Sequence, residues 1–482
     1  MRPIHRLVLG LTVLPFLASN VAAQIPAEEY AARRDSLAAR MGPGVLLAFG
    51  APSPVTYDFQ LRQLPAFNYI TGFLEPNAAM VLVHGDDGVR HTLFTERPTV
   101  RTQLYDGFRE DPAALARRTG ARVRPLEDLG PYVDSLASTG VSFFELRDFA
   151  SGDNASTDSL TRGRAFVESL QARHPGLQVT DLHRDVRELR ARKSPAEVAL
   201  LRKAIAITDQ AHRAALAVIE PGVWEYQVEA TIEFTYRNRG ADGPAYSSIV
   251  GSGLNSTVLH YVANDRQMEA GDLVLMDVGA QVAGYAADIT RTVPVSGAFT
   301  PDQRAIYDLV LAAEKAAEAQ VRPGASPDQS LAAATQVRLQ GMADLGLIQS
   351  PDATYDPPWP VDCETRPDQC LQGMLFMIHG ISHGIGLEVH DPSQFSIQGE
   401  YAPGDVFTIE PGIYINAQVL DMLPDTPKNR AFVEAVGETV RRYHEIGVRI
   451  EDNYLVTNDG AERLSAAPRE VEEIETGMAG GR

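Results

Sequence analysis

The sequence predicts an α/β domain over residues 24–185, followed by a larger α+β domain over residues 190–460. Three observations carry this. Apolar strand-like runs alternate with helical stretches through the first block, the pattern of a layered α/β domain. The segment Ser194-Pro195-Ala196-Glu197 is a capping box with proline at the first helical position, which marks a fresh start. Beyond it, apolar runs end at acidic or imidazole side chains, and two of them, around Asp277 and Asp288, read as a hairpin. A length of 482 residues suits two or three domains.

In chain order, residues 1–23 read as a secretory leader. Arg2 and Arg6 precede the apolar run Leu7–Leu17, and Val21-Ala22-Ala23 offers a small-residue cleavage site before Gln24. The run holds about 11 residues, against the ~20 that span a bilayer. Such a leader implies export, to the periplasm or beyond, with no integral membrane segment left after its removal. Ala27–Met41 reads as a helix, and Gly44–Phe49, Ala79–Val83 and Val141–Glu145 as strands. Helical stretches, Pro112–Arg118 and Leu160–Ala172, alternate with them. The capping box opens a long helix, Pro195–Val218, that stops before Pro221-Gly222. A further helix covers Pro301–Val321. Residues 351–370 carry five prolines and both cysteines, and read as a loop insertion. The stretch 461–482 is acidic, then glycine-rich, and is expected to fray.

Composition narrows the function. Hydrophobic residues at 44% and charged residues at 22% are those of a soluble globular protein. The formal charge is −20, and becomes −22 once Arg2 and Arg6 leave with the leader. Such a surface repels nucleic acid and anionic membranes. Cys363 and Cys370 are too few for a zinc site, but could close a small ring in an oxidising compartment.

The chemistry lies in the second domain. Asp277 sits inside the apolar run Leu273–Gly279, where an unpaired charge is costly, and Asp288 sits in Tyr285–Arg291. His379, His383 and His390 fall within twelve residues of a glycine-rich segment. Glu410 ends the strand-like run that starts at Val406, and Glu451 follows Val448-Arg449-Ile450. Strand alternation puts Arg449 on the face of Glu451, where it could hold that carboxylate. Asp277, Asp288, Glu410 and Glu451 are too many negative charges to bury together unpaired. Two divalent ions satisfy such a set, and such ions make hydroxide from water near neutral pH. A carboxylate-rich, thiolate-free set with one imidazole, His383, favours Mn²⁺, with Zn²⁺ or Co²⁺ possible.

The words LMDVG, DITRTVPVSG, HGISHGIGLEVHD, TIEPGIY and RIED resemble those of the pita-bread metallopeptidases. Among these the chain looks most like the X-Pro aminopeptidases (aminopeptidase P). Arg62-Gln63, Phe67, Tyr69, Thr71-Gly72-Phe73 and Glu75-Pro76 resemble that family's N-terminal domain signature. The resemblance implies an N-terminal creatinase/aminopeptidase P-like α/β domain and a pita-bread α+β catalytic domain. It implies that Asp277 chelates one metal, His383 and Glu410 the other, and that Asp288 and Glu451 bridge them. A hydroxide between the metals would then attack the carbonyl before proline, with Glu410 relaying the proton to the leaving nitrogen. His260, His379 and His390 would position substrate, and His379 and Arg449 are candidates to line the proline pocket. The substrates implied are proline-containing peptides, and the assembly implied is a dimer or tetramer. Prolidase, with the same metal set and dipeptide substrates, is the nearest rival. A metal-free binding module would lack ligands that this chain retains.

Overall fold

The computed structural model describes residues 24–54, 61–146 and 161–480. The expected leader, 1–23, lies outside them. Among the described residues no helix is long and apolar enough to cross a membrane.

The N-terminal domain is one six-stranded sheet flanked by helices. Its strands are β1 (Gly44–Phe49), β2 (Ala79–Gly85), β3 (Gly88–Thr95), β4 (Arg122–Pro125), β5 (Phe143–Glu145) and β6 (Val179–Asp181), in the order β4-β3-β2-β1-β5-β6. β1 pairs antiparallel with β2 and parallel with β5. All six residues of β1 are buried, which is why its sequence is a continuous apolar run rather than an alternating one. The strand expected from Val141 starts at Phe143, because Val141 points into solvent. Helix Ala27–Met41 buries Leu37, Ala38 and Met41 on the sheet, with Glu28 and Glu29 in its first turn opposing the helix dipole.

The second domain opens as its caps dictate. Ser194 Oγ accepts from Glu197 N at 3.2 Å, and Glu197 Oε2 accepts from Ser194 N at 2.9 Å. The helix so started runs Pro195–Leu216 and buries Leu200, Leu201, Ala204 and Ala211. The strands that follow are β7 (Gly243–Pro244), β8 (Ile249–Ser252), β9 (Leu273–Val278), β10 (Ala280–Val282), β11 (Tyr285–Ala286), β12 (Ile289–Pro294), β13 (Val406–Ile409), β14 (Gly412–Ile415), β15 (Ile446–Arg449), β16 (Asp452–Val456) and β17 (Ala461–Arg463). They form small antiparallel sheets, β12-β9-β8, β11-β10-β7, β13-β16-β17 and β14-β15. Helices Pro195–Leu216 and Pro301–Glu318 pack against them, giving an α+β layer arrangement.

Two further local outcomes differ from the sequence expectation, and one agrees with it. The connection between β9 and β12 is not a plain short turn. It carries its own hairpin, β10/β11, tipped at Ala283 and Gly284 with φ of 51° and 87°. Asp288 therefore sits just ahead of β12, while Thr290 stands opposite Asp277 in the ladder. The stretch from 461 does not fray. β17 extends a sheet, and helix Val471–Gly480 buries Val471, Ile474 and Met478. Those three apolar residues share one helical face, a stripe that the acidic composition masks. In the proline-rich loop, Cys363 and Cys370 form a disulfide. Tyr355 anchors the same loop against Phe432.

Candidate metal centre

The short sheets converge on one buried space. Asp277 comes from β9, Asp288 from the residue before β12, and Glu451 from the link between β15 and β16. An isolated bridge between Thr290 and Glu451 ties the last of these to β12. Glu410 lies between β13 and β14. His383 sits beside β13, with Thr408 N donating to His383 O at 2.9 Å.

All five side chains meet. His383 Nε2 lies 3.4 Å from Glu410 Oε1, 3.5 Å from Asp288 Oδ2 and 3.8 Å from Glu451 Oε1. Ligand atoms of Asp288, His383 and Glu451 fall within 4.8 Å of one another. Tyr246 Oη is 2.5 Å from both Asp277 Oδ1 and Asp288 Oδ1, joining the fifth residue to the set. Outer contacts fix the ligand rotamers. Thr290 Oγ1 donates to Glu451 Oε2 at 2.7 Å, and Asn453 Nδ2 donates to the Asp288 carbonyl.

Arg449 behaves differently from its expected role. Its Nη2 pairs with Asp277 Oδ2, its Nη1 donates to Tyr414 Oη at 2.7 Å and its Nε donates to Thr290 Oγ1 at 3.1 Å. No direct bond to Glu451 forms, because Thr290 stands between the two side chains and serves both. Arg449 is 3% exposed with all three nitrogens engaged, and it is not part of the cavity lining. It holds Asp277 in place instead.

The electrostatics are those of an unbalanced cluster. Burial pushes the Asp288 carboxyl far up, and the Asp277 charge adds to this. Glu451 is driven up by burial and by Asp288, Glu410 and Asp277. Burial raises Glu410 to about 8 against the pull of Arg449. Burial lowers His383 to about 4, with His390 contributing, so its imidazole is neutral, the form that ligates metals. His379 is lowered to about 3 by burial and then by Arg449, and its Nε2 lies 2.7 Å from Tyr414 Oη. Glu451 Oε1 is buried without any hydrogen-bond partner. A buried, unpaired carboxylate oxygen amid three more carboxylates and a neutral imidazole is a donor set that divalent cations satisfy.

The centre opens into a cavity of about 590 Å³. Tyr246, His260, Asp277, Asp288 and His390 line one side. The N-terminal domain supplies the other, with Arg62, Gln63, Asn68 and Leu74. The His390 ring packs on His383 with centroids 4.3 Å apart. His379 is absent from this wall. It stands behind the centre, with Nδ1 3.7 Å from Glu410 Oε2. Sequence reasoning does not find Tyr246, Thr290, Tyr414 or Asn453 as site residues. Hydroxyl and amide side chains are common in strands and bends, and only the fold shows which ones face the carboxylates.

Residues 199–458 match the model of metallopeptidase family M24. The chain belongs to this family. It is therefore a metallopeptidase, a hydrolase with the two-domain α/β plus pita-bread architecture. Residues 30–142 match the aminopeptidase P N-terminal domain. The chain is 34% identical over 472 residues to an Xaa-Pro aminopeptidase of Escherichia coli (strain K12), covering 95% of this chain and 99% of the relative. It is 31% identical over 448 residues to an Xaa-Pro dipeptidase of Homo sapiens, covering 87% and 84%. Among solved structures, Zn-substituted E. coli aminopeptidase P in complex with product superposes with a TM-score of 0.79 at 32% identity, covering 95% of this chain and 99% of that one. Proline aminopeptidase P II from Yersinia pestis gives 0.79 at 32%, covering 94% and 100%.

Proposed function

We propose that this M24 chain is an aminopeptidase that releases the first residue from peptides with proline in second position. The observation that carries it is the buried set of four carboxylates and one neutral imidazole, left with an unpaired Glu451 oxygen, at the floor of a cavity that the N-terminal domain helps to wall. Asp277, Asp288, His383, Glu410 and Glu451 would hold two divalent ions, and Mn²⁺ suits the donors best. When bound, such ions polarise the scissile carbonyl and make water nucleophilic near neutral pH. The chain's own residues do the rest. His260 and His390 line the cavity where they can donate to the substrate carbonyl. Glu410, close to His383 and His379, is placed to carry a proton towards the proline nitrogen. Arg449 and Tyr414 hold Asp277 and His379 in register.

One observation favours a dipeptidase. Arg62 lines the cavity and carries no ion pair among the described residues, so it could hold a dipeptide's carboxylate. Its guanidinium donates instead to the Ala245 carbonyl, and to Pro244 O at 2.9 Å, which keeps it on the wall. Mn²⁺-loaded protein separates the two readings. Cutting the X-Pro bond of X-Pro-Y tripeptides is the expected result, and cleavage of X-Pro dipeptides alone assigns the dipeptidase instead. Asp288→Asn should lose bound metal and turnover together. Retained metal would sink the ligand assignment.

Export and assembly are part of the same proposal. The Arg2/Arg6 leader pattern and the Cys363–Cys370 disulfide support an exported enzyme, tested by N-terminal sequencing of protein recovered outside the cytoplasm for a start at Gln24. Exposed Leu104, Tyr105 and Phe108 support a dimer or tetramer, tested by light scattering.

A further inference from the structure

A second buried charge cluster lies at the cavity wall, where Glu388 is part of the lining. Residues 384–391 form a tight turn, closed by Asp391 N donating to Gly384 O at 2.8 Å and Gly386 N donating to Glu388 O at 3.0 Å. His383 stands at one foot of this turn and His390 at the other. The Asp391 carboxylate points back into the turn and accepts from Glu388 N at 3.1 Å. Gly386 leaves room for it, since a Cβ there would overlap Asp391 Oδ2.

The neutralising charges come from elsewhere in the fold. Arg190 Nη2 pairs with Asp391 Oδ1 and, at 2.6 Å, with Glu388 Oε2. Lys193 Nζ lies 2.9 Å from Asp391 Oδ2, and donates to Pro392 O at 3.0 Å and Arg190 O at 2.8 Å. Side-chain exposures are 2% for Arg190, 1% for Lys193 and 2% for Asp391. Both cations sit at the junction between the domains, Arg190 in helix His183–Ala191 and Lys193 just after it. The N-terminal domain holds that helix in turn, through Tyr69 Oη donating to Leu189 O at 3.1 Å.

We infer that Arg190 and Lys193 are positioning residues for His390, acting through Asp391, so that the domain junction sets where this imidazole meets the substrate. Neither cation lines the cavity, and both are bonded to the turn that carries His390. Two cations against two carboxylates make a balanced, rigid clamp. A clamp of this kind fixes a neighbouring side chain to the tolerance that catalysis needs. The inference rests on the aminopeptidase reading for its activity arm only.

The test is a double-mutant cycle with a second readout. Lys193→Met should lower kcat on an X-Pro-Y peptide roughly ten- to a hundredfold, with metal content unchanged. In a His390→Ala background the same change should cost less than about threefold, because the group it positions is already gone. Equal losses in both backgrounds would overturn the inference, since a merely structural defect is additive. Lys193→Arg, which keeps the charge, should recover most of kcat. If Lys193→Met does not fold, the isosteric Asp391→Asn replaces it. Histidine NMR of the metal-free protein reads the clamp without turnover. The His390 resonance, assigned by its loss in His390→Ala, should move in Lys193→Met, while that of His212, buried in helix Pro195–Leu216 with Nε2 3.1 Å from Ile289 O, stays. A stationary His390 resonance rejects the clamp. A wild-type protein that leaves X-Pro-Y peptides uncut rejects only the aminopeptidase reading, and the NMR result still decides the inference.

Discussion

Glu451 and Asp452 are neighbours in sequence, both fully buried, and they face opposite environments. Glu451 points at Asp288, His383 and Glu410, with one oxygen unpaired. Asp452 points the other way, into three arginines. Arg291 Nη2 lies 2.5 Å from Oδ1, and Arg463 and Arg469 reach Oδ2 at 3.0 and 3.1 Å. Burial alone would raise both acids. At Asp452, Arg291 and Arg463 outweigh burial and hold it below the usual carboxylate range. At Glu451, the neighbouring carboxylates add to burial and drive it far up. Adjacent residues thus carry a charge the protein neutralises and a charge it leaves for something else to neutralise. The difference locates the metal centre from the polypeptide's own charge balance.

The sharpest way to break the comparison is to remove each acid from metal-free protein. Asp452→Ala strands Arg291 without its partner and should cost about 3–5 kcal/mol in urea unfolding. Glu451→Gln removes one charge from an over-charged cluster, and should leave metal-free stability unchanged or raised. Equal destabilisation by the two would show that the centre is balanced without cations.

The next effect is the metal itself. Adding Mn²⁺ at a hundred times its Kd should stabilise the wild type by about 2.7 kcal/mol, seen as a rise in Tm that a chelator reverses. In Glu451→Gln the rise should shrink or vanish, while a charge-neutral change at the Asp452 side should leave it intact, such as Tyr454→Phe, which removes the hydroxyl that Arg469 reaches at 3.1 Å.

pH sharpens the contrast by sign. Glu410 is raised from its ordinary 4.5 to about 8, so in metal-free protein its contribution is fully present below pH 4.5 and lost as pH climbs towards 8. Asp452 is lowered, so its contribution is present above its ordinary 3.8 and lost as pH falls through its folded value. Metal-free protein should therefore lose stability between about pH 4.5 and 8, and the gain from Mn²⁺ should grow over that window, because ligands must deprotonate to bind. A gain that is flat with pH contradicts the raised carboxyl.

The same contrast explains what the sequence made legible. The five ligand types were visible because carboxylates and glycine-flanked histidines stand out against apolar strand runs, as Asp277 does within Leu273–Gly279. The caps at Ser194 and the apolar run at Gly44–Phe49 placed helix and strand for the same local reason. Partners were another matter. Arg449 and Glu451 share a strand face in pattern, yet Thr290, far away in sequence, comes between them. Tyr246 meets Asp277 and Asp288 only after β7 to β9 have folded back. Which charges are balanced depends on such long-range meetings, and periodicity carries no record of them. Helix Val471–Gly480 was hidden differently, behind four acidic residues, Glu470, Glu472, Glu473 and Glu475, that read as a solvated tail.

A third ion pair gives the smallest expected effect and isolates the role of burial. Arg202 grips Glu462 with two nitrogens, at 2.8 and 2.6 Å, as good a geometry as Arg291 gives Asp452. Their side chains are 43% and 45% exposed, so water and salt screen the pair. Arg202→Ala should cost only about 0.2–1 kcal/mol, and less in high salt, where Asp452→Ala should be nearly indifferent. The two substitutions differ in burial rather than in bond geometry. If Arg202→Ala proved as costly as Asp452→Ala, pairing geometry alone would set the energetics. The raised Glu451 would then say little about cation binding at the centre. If the costs separate as expected, desolvation is what makes an unpaired oxygen at Glu451 a demand for a metal ion.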